Sequence, residues 1–216
     1  MVSREHGATP PAGFAREISR EALAELPIRR YEGEVRLVAN PGELERALAD
    51  IRAERVLGFD TETRPAFRKG ESHLPCLIQM ATAHTVYVLQ LQRFDAAAAI
   101  AELVGAPEIV KAGVALAEDL RQLKRLFPLA EAGVLDLGHI ARRHGLRQTG
   151  LRNLAAIFLG ARIPKGNRTS NWAAARLSAA QITYAATDAW ACRELYLRFV
   201  QLGLLRTPGL TSTSSP

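Results

Sequence analysis

Residues 56–63 read Val56-Leu57-Gly58-Phe59-Asp60-Thr61-Glu62-Thr63. Four apolar positions lead into two acids placed two residues apart. A short apolar run of this kind has the length of a buried strand. Side chains alternate along a strand, so Gly58, Asp60 and Glu62 share one face, and Leu57, Phe59 and Thr61 share the other. The glycine leaves room beside the acids. Two like charges this close repel each other and are costly near a core. A solvent-exposed strand end would relieve them. A divalent cation would relieve them better, and hard cations such as Mg²⁺ and Mn²⁺ take oxygen ligands.

That strand needs neighbours. CLIQMA (76–81) and TVYVLQL (85–91) read as two more strands joined through 82–84 as a hairpin. Upstream, 14–26 reads as a helix stopped by Pro27, and 35–39 as a short strand. Asn40-Pro41-Gly42-Glu43 supplies a cap residue, a proline at the first helical position and a glutamate at N3, opening a helix to about Ile51. Asp95 can cap an alanine-rich helix through Val104. Downstream, 109–114 reads as a strand, 118–127 as a helix and VLDL (134–137) as one more strand or only a strand-like segment. Helices fit 138–144, 151–159 and about 179–202. A meander of strands followed by helix–strand alternation predicts an α/β fold, a mixed five-stranded sheet flanked by helices.

The last helix carries a second acid. Ser178-Ala179-Ala180-Gln181 is a capping box. Tyr184 and Asp188 then lie four apart on one helical face, and Cys192, Leu195 and Phe199 extend the stripe that contains Asp188. An inward aspartate wants a compensating partner, either a cation or an arginine. Asp119 follows the strand 109–114 by a short link. It is either an acid favoured by the helix N-terminus or a carboxylate brought to the end of the sheet, and spacing alone leaves both open.

The chain has 216 residues, long enough for one full core with a short appendage. Residues 1–12 and the tail after Arg206 read as disordered. No run of 18 apolar residues exists, so no membrane span is expected. The N-terminus lacks the apolar region of a secretory signal. Cys76 and Cys192 sit inside apolar patterns and read as buried thiols of a reducing cytoplasm. The formal charge is +6. From Leu137 to Thr187 there is no acid but eight basic residues: Arg142, Arg143, Arg147, Arg152, Arg162, Lys165, Arg168 and Arg176. The rest of the chain, with 20 basic and 22 acidic residues, is slightly negative. Such a segment either binds a polyanion or is an ordinary solvated surface.

Taken together, FDTET, Asp119 in KAGVALAEDL and Tyr184-Ala185-Ala186-Thr187-Asp188 resemble the three motifs of the DEDDy 3'-5' exonucleases. The likeness is to ribonuclease D and the Werner-type exonuclease domain. PCLIQMA and SNWAAARLSAAQITYAATDA resemble the same family, and the likeness covers roughly 35–200. It implies a ribonuclease H-like fold and a domain over 31–205, between an N-terminal extension (1–30) and a tail (206–216). Asp60, Glu62, Asp119 and Asp188 match the four acids that hold two divalent cations, Mg²⁺ or Mn²⁺. Tyr184 matches the tyrosine that orients the attacking water; with an ordinary pKa near 10 it is a poor base. The resemblance implies single-stranded nucleic acid with a free 3' end as partner. By their place in the loop between two strands beside the site, Phe67 or Leu74 would wedge or stack its terminal base, with plain loop packing the equal alternative for Phe67; Lys165, Arg168 and Asn171, just before the capped helix, would contact phosphates. Trp172 reads as core. His139 and His144, with no third ligand, read as surface or helix-end residues rather than zinc ligands. A catalytically inactive nucleic-acid-binding module is the alternative, but a pure binder has no need to keep repelling acids together.

Overall fold

The computed structural model describes residues 14–66, 68, 70–166 and 169–205. In chain order the elements are α1 (Arg20–Glu25), β1 (Glu34–Val38), α2 (Pro41–Ala53), β2 (Val56–Thr63), β3 (Pro75–Ala81), β4 (Thr85–Gln90), α3 (Ala97–Gly105), β5 (Val110–Gly113), α4 (Leu116–Leu126), β6 (Val134–Asp136), α5 (Leu137–Arg143), α6 (Leu151–Leu159) and α7 (Ala179–Gln201). The sheet order is β1-β4-β3-β2-β5-β6. β3 runs antiparallel to both β2 and β4, while β1 with β4, β2 with β5 and β5 with β6 are parallel pairs. The expected mixed sheet is present, with six strands rather than five. The sixth is the strand-like segment at 134–136: three half-buried residues that pair in register with Lys111, Ala112 and Gly113. So short an edge strand is defined by its partner's hydrogen bonds, not by its own pattern.

Period-two alternation builds the two layers. Leu57 and Phe59 of β2 join Ile78 and Met80 of β3 in one core under α2, α3 and α4. Leu77 and Ala81 turn the other way onto Ala185, Ala186 and Ala189 of α7, with Trp172. All seven residues of β3 are buried, as in a strand covered on both faces. A third cluster joins α5 and α6 to the far end of α7 through Leu154, Phe158 and Phe199. Helix α7 lies directly on β2: a Cβ on Gly58 would stand 1.9 Å from the Ala189 carbonyl oxygen. The room that the glycine leaves is therefore taken by the helix.

The predicted caps are present at Asn40, whose side chain accepts from Glu43 N at 3.0 Å, and in the Ser178/Gln181 box. Two boundaries move. Helix α1 is short because Ser19 caps it, accepting from Ala22 N at 3.1 Å. The residues before Ser19 bond elsewhere: Ile18 N donates to Gln148 Oε1 at 3.0 Å, and Phe14 packs on Phe158. Asp95 caps α3 from one residue outside, through Ala97 N at 2.9 Å. Residues 1–12 and the tail after Arg206, expected to be disordered, lie outside the described residues.

Candidate active site

Strand β2 carries Asp60 and Glu62 on the face toward α7. The close approach at Gly58 then brings Asp188 over them. One carboxylate oxygen from each of Asp60, Glu62 and Asp188 lies within 4.8 Å of the others. Glu62 and Asp188 are 8% and 7% exposed, so most water that would screen their charges is gone. Burial, then the charges of Asp188 and Asp119, hold the Asp60 carboxyl well above the usual range. Burial pushes Asp188 up to about 7, against a hydrogen bond from Tyr184 and the charge of Arg152, which pull it down. Burial, followed by the charges of Asp188 and Glu62, raises Tyr184, so its hydroxyl stays protonated across the physiological range.

Asp119 stands apart from the three-carboxylate cluster but lines the same cavity of about 700 Å³. Its side chain accepts a hydrogen bond from Thr61, which points away from the Asp60 face. Burial raises its carboxyl and the Thr61 bond opposes that. The turn that places it depends on Asp136, whose carboxylate accepts from Leu116 N at 3.1 Å and from His139 N at 3.1 Å. Ala115 at this turn has φ 62°, in the left-handed region that costs an L-residue roughly 1–2 kcal/mol.

The donor set is all oxygen and all acidic, and burial raises the carboxyls of Asp60, Asp119 and Asp188. That is the chemistry of a site for a hard divalent ion. The cluster can coordinate such ions. Of the two kinds of partner weighed from the sequence, an arginine is near enough to act on Asp188 through its charge, namely Arg152.

Asp60, Glu62, Asp119, Tyr184, Asp188 and Lys165 all line this cavity. Leu74 lines a separate cavity of about 400 Å³ with Arg64 and Pro75. Asn171 is exposed, and its carbonyl accepts from Gln181 Nε2 at 3.2 Å. Phe67 and Arg168 lie outside the described residues. Trp172 is core, 1% exposed. His139 is exposed and His144 caps α5. Cys76 and Cys192 are free and buried.

Sequence reasoning missed Thr61, Asp136 and Gln79, and gave Arg152 no place beyond the basic segment. Gln79 stands directly across from Asp60 in the sheet, fully buried, with neither amide atom hydrogen-bonded among the described residues. The one available signal was a lone amide inside the apolar run PCLIQMA. Among the described residues no helix is long and apolar enough to cross a membrane.

A family model described as 3'-5' exonuclease matches residues 35–202. The ribonuclease D of Gluconacetobacter diazotrophicus is 34% identical over 164 residues, 74% of this chain and 41% of that protein. The exonuclease mut-7 homolog of Aedes aegypti is 28% identical over 194 residues, 78% of this chain and 27% of that protein. This chain thus spans well under half the length of these relatives. The crystal structure of the Aedes aegypti Nibbler EXO domain superposes with a TM-score of 0.72 at 26% identity, covering 82% of this chain and 91% of that one.

Proposed function

The chain belongs to the 3'-5' exonuclease family, matched over 35–202, and from that premise we propose that it hydrolyses the terminal phosphodiester bond at a free 3' end of single-stranded nucleic acid, releasing nucleoside 5'-monophosphates. The observation that carries this reading is the convergence of Asp60, Glu62 and Asp188 in a cavity that Asp119 and Tyr184 also line. The ions are Mg²⁺ or Mn²⁺, two per site. Asp60, Glu62 and Asp188 would hold one, and Asp60 and Asp119 would serve the second. When bound, such ions lower the pKa of water and neutralise charge on the phosphate and leaving oxygen.

The chain's own residues supply the rest. Tyr184 is too weak an acid to serve as a base near neutrality. Its hydroxyl donates to Asp188, which leaves its oxygen free to accept from the attacking water and aim it. Burial of Glu62 and Asp188 keeps the site poor in competing water and strengthens each interaction inside it. Lys165 at the rim offers charge to the substrate backbone. In the same reading Leu74, Phe67, Arg168 and Asn171 remain proposed substrate contacts. The catalytic domain covers 31–205, after an extension at 1–30 and before a tail at 206–216. We place the protein in the cytoplasm, in keeping with its two buried thiols.

Single-stranded oligonucleotides labelled at the 3' or the 5' end test the reading. A ladder of shortened 5'-labelled products, abolished by chelator and restored by Mg²⁺ or Mn²⁺, is expected. Internal cuts, or full hydrolysis in metal-free buffer, would refute it. Matched RNA and DNA run side by side decide the sugar, because a ribose 2'-hydroxyl is read by direct contacts.

A further inference from the structure

The cavity that holds the four acids also holds Arg152, to which the reaction above gives no task. Arg152 lies in the first turn of α6 and is half-buried. Its Nε donates to the Ile163 carbonyl at 2.8 Å, which ties the guanidinium to the stretch leading into Lys165. That bond uses one of five N–H donors. Asp188 feels the charge of Arg152, yet the two form no direct ion pair, and Arg152 has no other polar partner among the described residues. A mere counter-charge for Asp188 would gain most by closing into a bidentate pair. Here the guanidinium is instead held back by a backbone tether, with its Nη groups unspent beside a cluster of metal-type ligands. A planar fork fixed in this way matches the oxygens of a phosphate.

We propose that Arg152 binds the non-bridging oxygens of the 3'-terminal internucleotide phosphate through its Nη groups while Nε stays on Ile163. The proposal rests on the exonuclease reading of this cavity. Its distinguishing feature is a contact to one particular phosphate, not a general attraction for polyanions.

A double cycle measures that contact without any cleavage. Single-stranded oligonucleotides carry either ordinary linkages or one neutral methylphosphonate, at the 3'-terminal or the 5'-terminal linkage. Their affinities for the full chain and for Arg152→Gln are read by fluorescence anisotropy in excess chelator. Wild-type protein should prefer the 3'-terminal phosphodiester over the methylphosphonate more strongly than Arg152→Gln does, by roughly tenfold or more, the worth of a hydrogen bond to a charged group. The 5'-terminal methylphosphonate should affect both proteins alike. With Mg²⁺, Arg152→Gln should lose roughly 10- to 100-fold in kcat/KM, and Arg152→Lys should recover part of it. Equal sensitivity of the two proteins to the 3'-terminal methylphosphonate overturns the proposal. If Arg152→Gln fails to show a cooperative melt, the same cycle is run with Arg152→Lys, which keeps the charge but loses the fork, and equal sensitivity there overturns it too. Should wild-type protein not shorten 3' ends at all, the exonuclease reading fails, while the chelator cycle still reports on the contact.

Discussion

Asp188 is a carboxyl whose proton affinity is set by burial against Tyr184 and Arg152, and its value of about 7 has a consequence for stability. An unfolded aspartate releases its proton near pH 3.9. Between that value and about 7 the folded chain keeps a proton that the unfolded chain has lost. Stability present below the lower value is therefore lost as pH rises through the upper one, and Asp60 acts in the same direction. In chelator the protein should melt several degrees lower at pH 8 than at pH 5.5, since each kcal/mol moves the midpoint of a chain this size by about 2–4 °C. Mg²⁺ or Mn²⁺ at pH 8 should recover the difference, and Asp60→Asn should flatten the chelator profile while abolishing cleavage. A melting profile in chelator that is level across this range would contradict the acid cluster's electrostatics. Tyr184→Phe separates orientation of water from packing, because the ring stays and only the hydroxyl goes. Its single-turnover rate at saturating substrate and Mg²⁺ should fall by roughly 10²–10⁴-fold, or somewhat less with the ions in place. Metal affinity should barely change. A wild-type rate would leave Tyr184 as the partner of Trp172, whose ring centroid is 5.9 Å away.

Strand β2 and helix α7 form the joint on which the site depends, and Gly58 sets their separation. A methyl group there meets the Ala189 carbonyl at 1.9 Å and Arg193 N at 2.9 Å, backbone atoms that cannot rotate away. Gly58→Ala should cost about 1–3 kcal/mol in melting experiments, in the range of overpacked cores. It should also weaken Mn²⁺ binding by calorimetry with every carboxylate still present, because Asp188 is carried off with the helix. Gly42→Ala at the start of α2 meets only Asn40 and Arg46 side chains at 3.6 and 3.8 Å and should be neutral or stabilising. Unchanged metal affinity in a folded Gly58→Ala protein would uncouple the joint from the site. This joint was half legible in the sequence. Alternation placed Asp60, Glu62 and Gly58 on one face, and helical spacing placed Tyr184 beside Asp188, since both are local periodicities. What brings the faces together is long-range. Asp119 could not be placed because its position follows from a left-handed Ala115 and from Asp136 in another element. Leu74, expected from the sequence to wedge or stack a terminal base, lines a cavity other than the one that holds the acids. Gln79 was hidden inside an apolar run whose register with β2 no local pattern reveals.

Across the whole molecule the positive excess is not spread evenly. Arg152 and Lys165 line the acid cavity, while exposed Arg142, Arg143 and Arg147 lie at the end of α5 and in the loop beyond, Arg147 within 3.3 Å of Glu17. Affinity for single strands should fall with salt, as phosphate contacts release counterions. The triple change Arg142→Ser, Arg143→Ser and Arg147→Ser should flatten that dependence if these residues touch the backbone. An unchanged affinity and slope in filter-binding or anisotropy titrations would make them a solvated face and leave the work to the cavity residues. One long-range connection bears on how the molecule can be handled. The segment before β1 is laced to the loop that leads to Lys165: Arg29 N donates to the Arg162 carbonyl at 3.1 Å, and Arg162 N to the Pro27 carbonyl at 2.9 Å. Mechanically, this lacing is a bridle. Tension applied through a fused partner or a surface tether at the N-terminal side would reach the Lys165 loop before it reached the sheet. The rate of cutting under load would then drop at forces that leave the domain folded, whereas the same tether placed after α7 would spare it.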